Sequence, residues 1–138
     1  MKKLLILFVA VATASLTFTS CSKDSAAAPS IVGKWAYSKS GTIVSGQEVL
    51  QDHNHAATCT KDHMEFLAGG TFTDKSYSGS SCDESTASGT WTKSGSTFTV
   101  TFDQQPPIVT TIASLTSTAL KLTFTDSGTT YIITFTRM

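Results

Sequence analysis

The chain has 138 residues, ten basic side chains against ten acidic ones, and 40% hydrophobic content, which suits one small domain with a modest core. No basic run disturbs the balance, so the composition argues against a nucleic-acid partner. Charged residues make up only 14% of the chain while Ser and Thr abound, and Thr favours half-exposed pleated surfaces, so the expectation turns to strands.

Met1-Lys2-Lys3 precede an apolar run from Leu4 to Phe18. A charged start, an apolar middle and small residues after it predict a secretory signal over residues 1–20. The run is shorter than the about 20 residues that a membrane-spanning helix needs. It closes on LTFTSCS, with the small Ser20 directly before Cys21. That spacing resembles a bacterial lipobox, which implies that Cys21 is lipidated and becomes the first residue of the mature protein. Acylation turns a soluble domain into an anchored one, each buried methylene contributing about 0.8 kcal/mol. The expected partner is therefore a membrane, reached through lipid. The expected location is the cell outer membrane, on its periplasmic face or at the cell surface. Ser22-Lys23-Asp24 loosely resembles the lysine-plus-acid signal of surface lipoproteins in Bacteroidetes-type bacteria. Loss of the leader removes Lys2 and Lys3 and no acid, leaving eight basic residues against ten acidic ones.

Residues 21–30 continue as SKDSAAAPS after Cys21, a tether of small residues without periodicity. From Ile31 to the end at 138 the pattern has period two. TFTVTFD sets Phe98, Val100 and Phe102 on one face. ALKLTFT does the same with Leu120, Leu122 and Phe124, YIITFTR with Tyr131, Ile133 and Phe135, and HMEFLA with Met64 and Phe66. Such alternation predicts half-buried strands. Gly69-Gly70, Ser94-Gly95, Ser127-Gly128 and the polar patch Thr116–Thr118 mark turns, and Pro106-Pro107 requires a looser connection. The predicted strands lie near 32–38, 61–68, 71–77, 88–93, 96–102, 108–115, 119–125 and 129–137. Eight antiparallel strands with one apolar face avoid bare edges by closing into a barrel. Its interior is then just wide enough for side chains or one small ligand. An open sandwich is the competing architecture. Met64, Phe66, Phe72, Trp91, Phe98, Phe102 and Tyr131 are the residues expected to line any ligand space.

The segment DHNHAATCTKDH holds all three histidines, His53, His55 and His63. His-x-His is a metal-binding spacing, and Asp52 or Asp62 could add a carboxylate. Nothing in the sequence preorganises them, so solvated loop histidines and no metal are expected, and no cofactor. Catalysis is not expected either: no strand–turn–helix nucleophile elbow appears, no Gly-rich phosphate loop precedes a helix, and Asp83-Glu84 sits in a polar loop. Residues 40–58 form the longest irregular connection, and long loops are often functional; in a barrel this one would cover a mouth.

Three cysteines leave Cys59 and Cys82 as a pair once Cys21 carries lipid, and outside the cytoplasm such a pair oxidises. A hairpin centred on Gly69-Gly70 sets Cys59 against the neighbourhood of Ser80, two residues from Cys82, within reach of a disulfide.

Gly33-Lys34-Trp35 on the first strand resembles the Gly-x-Trp signature of lipocalins. The longer series CTKDHMEFLAGGTFTD, a second Cys, SGTWTKSGSTFTVTF is similar to the lipocalin-like domain of small Bacteroidetes lipoproteins. The resemblance implies an eight-stranded up-and-down barrel. It implies that Trp35 floors one end, with Arg137, the chain's one arginine, lying across its ring. The function expected is binding or carriage of a small hydrophobic or amphipathic molecule in the cell envelope, without chemistry. The alternative is a protein-binding envelope module, such as a hydrolase inhibitor or a structural lipoprotein, whose barrel is filled.

Overall fold

The computed structural model describes residues 28–138. The signal expected over residues 1–20, Cys21 and the expected tether as far as residue 27 lie outside the described residues. Nine strands follow in order: β1 (Gly33–Val44), β2 (Gln47–Asp52), β3 (His63–Phe66), β4 (Thr71–Ser78), β5 (Asp83–Ser94), β6 (Thr97–Phe102), β7 (Ile108–Leu115), β8 (Ala119–Asp126) and β9 (Thr129–Arg137). No helix occurs among the described residues. Each strand from β3 to β9 pairs antiparallel with the next, and β9 returns to β1 to close the barrel.

The strand count differs from eight because the second barrel position is split. One edge of β1 faces β9. Its other edge pairs Gly33–Ala36 with β3 and Lys39–Val44 with β2. Where the partner changes, Tyr37 N–H donates to Asp62 O at 3.1 Å and His53 N–H donates to Ser38 O at 2.8 Å. The β2 and β3 segments are thus two halves of one strand position, interrupted by an excursion over residues 54–61. A bulge in β1 between Tyr37 and Lys39 sits opposite the interruption, and bulges bend a strand and re-aim its side chains. The Thr134 hydroxyl fills it, accepting from Lys39 N–H at 3.0 Å.

Residues 40–52, expected as part of the irregular connection 40–58 over a barrel mouth, are strand and turn. Ser45 (φ 52°) and Gly46 (φ 78°) instead make a two-residue turn, since paired positive φ values match the twist of a hairpin. β2 pairs with β1 alone, which leaves a gap beside the upper part of β4. The Cys59–Cys82 disulfide ties the excursion to the β4–β5 turn across this gap, with Cα atoms 5.4 Å apart. The pairing expected from the sequence is present, but not its reason. The β3–β4 register sets His63 opposite Lys75, one step from the predicted register, and Cys59 lies in the excursion, outside any strand.

One end of the barrel is closed by packing. Trp35, Phe66, Phe72, Phe98 and Leu120 are essentially fully buried, each large side chain contributing about 1.5–3 kcal/mol by leaving water. Ile31 plugs the floor from below, and its carbonyl accepts the Trp35 indole N–H at 2.7 Å. The Arg137 guanidinium lies over the Trp35 ring, 4.1 Å from its centroid. It also donates to Val32 O at 2.7 Å and Ser30 O at 2.6 Å. Gly33 has φ 129°, and a Cβ there would collide with the guanidinium. The Gly-x-Trp motif therefore has a local cause: only glycine fits under the arginine that covers the tryptophan.

Candidate functional site

Above the packed floor the interior opens into an apolar cavity of about 160 Å³, walled by Met64, Phe98, Val100, Leu122, Ile133 and Phe135, with Phe102, Ile108 and Phe124 nearer the rim. The two polar lining residues are both engaged. Thr110 donates its hydroxyl to Phe98 O at 2.8 Å, and Tyr37 donates its phenol to Asp74 Oδ1 at 3.1 Å. A shallower depression of about 310 Å³ at the mouth shares Phe124 and Ile133 with the cavity and adds Tyr131, Ser40 and Thr42. The Phe124 and Tyr131 rings stack there at 5.0 Å.

Of the residues expected to line ligand space, Met64, Phe98 and Phe102 stand around this cavity. Phe66 and Phe72 are consumed by the floor, in contact with each other at 5.8 Å between centroids. Trp91 also belongs to the closed end: it meets Phe66 at 5.9 Å and donates its indole N–H to Leu67 O at 3.1 Å. Tyr131 stands at the mouth. Alternation ordered these side chains inward correctly; height along the barrel axis separates floor from cavity, and period two carries no such information. Tyr37 and Thr110 were missed because Thr is frequent on every face of this chain and Tyr37 was read only as part of a strand.

A polar cluster occupies the split in the second strand position. Asp62 Oδ1 accepts Tyr77 N–H at 2.8 Å, the bond that a continuous strand would have made with its own backbone. Its Oδ2 accepts from His53 Nε2 at 2.8 Å. The His55 ring lies beside it, donating Nε2–H to Tyr37 O at 2.8 Å and accepting Asp62 N–H on Nδ1 at 3.0 Å. His53 stacks on Tyr37 at 5.0 Å. His63 is apart from this group, buried, with Nδ1 on Lys61 O at 2.8 Å. The expectation of solvated histidines therefore fails: the excursion folds back on the barrel, and each ring has a hydrogen-bond partner.

The neighbouring carboxylates are pushed in opposite directions. Burial opposes ionisation of Asp62, but the His53 bond, the Tyr77 N–H and the two imidazoles together outweigh it and hold its pKa below the ordinary value. Burial raises Asp74; the Tyr37 bond offsets this in part, and the charge of Asp62 adds to the rise. Burial also raises Tyr37, helped by Asp74, so the phenol stays protonated.

The family model of the lipocalin-like domain matches residues 31–122. This chain belongs to the lipocalin-like domain family. Two solved structures share the lipocalin-like fold. A lipocalin-like protein from Bacteroides uniformis ATCC 8492 aligns at 15% identity and TM-score 0.56, covering 78% of this chain and 97% of that one. An uncharacterized protein from Bacteroides eggerthii DSM 20697 aligns at 14% identity and TM-score 0.54, covering 78% and 98%. No curated protein matches the chain. Lipocalin-like barrels are typically binding proteins and not enzymes, so the fold supports a role of the binding type in general.

Proposed function

We propose that the barrel binds one small apolar or amphipathic molecule, in an envelope lipoprotein that Cys21 anchors to the outer membrane. The observation that carries this is the apolar cavity of about 160 Å³, which shares Phe124 and Ile133 with the depression at the mouth. A dry apolar cavity of about 150 Å³ accepts a benzene-sized group, so a ring or short alkyl chain fits inside and the remainder rests against Phe124 and Tyr131. The lining offers no free nucleophile or acid, because Tyr37 and Thr110 are engaged; the reading involves no covalent chemistry and no cofactor. The tether reaches the barrel at its closed end, where Arg137 holds Ser30 and Val32.

Titration of mature protein carrying Cys21→Ser with toluene, followed through the methyl resonances of Leu122 and Ile133, tests the binding. Saturable shifts that disappear in Val100→Phe, which fills the cavity, are expected. Unmoved methyl groups would defeat the reading.

A second reading is the protein-binding module. It is favoured by the cavity falling below the about 300 Å³ usual for ligand sites, and by the exposed Val44 and Val49 beside the outer edge of β2, which has no strand partner among the described residues. Such an edge can accept a strand from another envelope protein.

A further inference from the structure

We propose that His53, His55 and Asp62 form a binding site for a divalent transition-metal ion, which would clamp the split in the second strand position. The site lies outside the apolar cavity, with Tyr37 as the wall between them, and does not rest on what that cavity binds.

The donor set is already gathered. One nitrogen from each histidine and one oxygen of Asp62 lie within 4.8 Å of one another. His53 Nε2 is 2.8 Å and His55 Nδ1 is 3.8 Å from Asp62 Oδ2. Ligand atoms around a tetrahedral ion at about 2.0–2.1 Å sit about 3.3 Å apart, so shifts well under the length of a side chain complete the geometry.

The orientation of each donor is fixed from outside. A backbone carbonyl only accepts, so the bond from His55 to Tyr37 O places the proton on Nε2 and leaves Nδ1 unprotonated beside Asp62, its lone pair accepting Asp62 N–H at 3.0 Å. Metal-binding histidines are commonly held in this way through their second nitrogen. Tyr77 N–H occupies Asp62 Oδ1, so the oxygen offered to an ion is Oδ2, which accepts from His53 Nε2 at 2.8 Å until the metal replaces that proton. Stacking on Tyr37 sets the plane of His53. His53 N–H on Ser38 O and the Cys59–Cys82 disulfide fix the excursion at both ends.

Charge points the same way. Asp62 is only 8% exposed, and among the described residues its ion-pair partners are the two histidines, with no lysine or arginine. A buried carboxylate with two imidazoles is a donor set for zinc or copper; calcium and magnesium favour all-oxygen sites. Three protein ligands leave a fourth position for water. On binding, the proton on His53 Nε2 shifts to Nδ1 or leaves to solvent, and the His55 Nδ1 lone pair exchanges Asp62 N–H for the metal.

The test uses the full chain in detergent, without a polyhistidine tag, stripped by chelator and titrated calorimetrically with zinc chloride. One zinc per chain at about micromolar affinity or tighter is expected. His53→Gln and Asp62→Asn should each weaken it by about tenfold or more, and Asp52→Asn should leave it unchanged. In the unsubstituted protein, cobalt(II) should give the intense visible bands of a four-coordinate site, a readout that does not depend on any variant folding. Absence of saturable zinc uptake by the unsubstituted protein, absence of those cobalt bands, or uptake that persists in His53→Gln would each overturn the proposal.

Discussion

Removing the guanidinium of Arg137 tests the closed end of the barrel. Arg137→Met keeps the length of the stem but deletes the cation over Trp35, at 4.1 Å, and the donors to Val32 O and Ser30 O, at 2.7 and 2.6 Å. A weaker bond from Nε to Ser117 O, at 3.3 Å, goes with them. The stacked cation is worth about 0.5–2 kcal/mol. Each charged hydrogen bond here is partly open to water, so it contributes nearer 1 kcal/mol than the about 1.5–3 kcal/mol of protected ones. The expected loss is about 2–4 kcal/mol, or roughly 8–16 °C in Tm for a domain of this size. Arg137→Lys keeps the charge but not the fork and should fall between. Urea unfolding followed by tryptophan fluorescence measures both variants. A loss below about 0.5 kcal/mol in Arg137→Met, with an unchanged m-value, would refute the claim that this arginine joins the first and last strands to the floor.

The two carboxylates of the seam should respond with opposite signs. The folded pKa of Asp62 is depressed, so its stabilisation is present above the ordinary carboxylate pKa and is lost as pH falls through the folded value. Asp62→Asn should therefore lower the urea midpoint at neutral pH, with a penalty that shrinks in acid. The folded pKa of Asp74 is raised, so its carboxylate opposes folding above that value and Asp74→Asn should leave neutral-pH stability unchanged or increased; a marked loss would contradict the assignment. Reducing the Cys59–Cys82 bridge, with its sequence separation of 23, should cost about 3–4 kcal/mol on the chain-entropy model. A thiol titration of denatured, unreduced protein should count no free thiol from that pair. Cys21→Ser should move the protein from the membrane fraction to the soluble envelope fraction, as loss of the acyl chains requires; membrane retention would refute lipid anchoring through Cys21.

Strands β4 and β6 to β9 were legible because half burial writes itself as alternation. Phe98, Val100 and Phe102 show this in β6. β5 was legible only from residue 88 onward: Asp83–Ser88 are exposed on both faces, so Asp83-Glu84, expected in a polar loop, begin the strand instead. β2 was illegible for the complementary reason. It is bonded along one edge only, and Val49 faces solvent, so QEVLQD shows no alternation. Its turn, Ser45-Gly46, is of the same kind as Ser127-Gly128, where both residues also have positive φ. That was the signal available to find it. The seam cluster draws Tyr37, Asp62 and Asp74 from three places on the chain. Its formation depends on the 54–61 excursion folding back, which no local pattern records. The Trp35–Arg137 pair was placed through family resemblance, and the structure adds why Gly33 must accompany it.

Native mass spectrometry of the protein purified from its own host tests the binding account most directly. The account predicts a protein ion carrying one small co-purifying molecule, released on collisional activation and missing from Val100→Phe prepared in the same way. A bare mass from both proteins, or the same adduct on both, would contradict it.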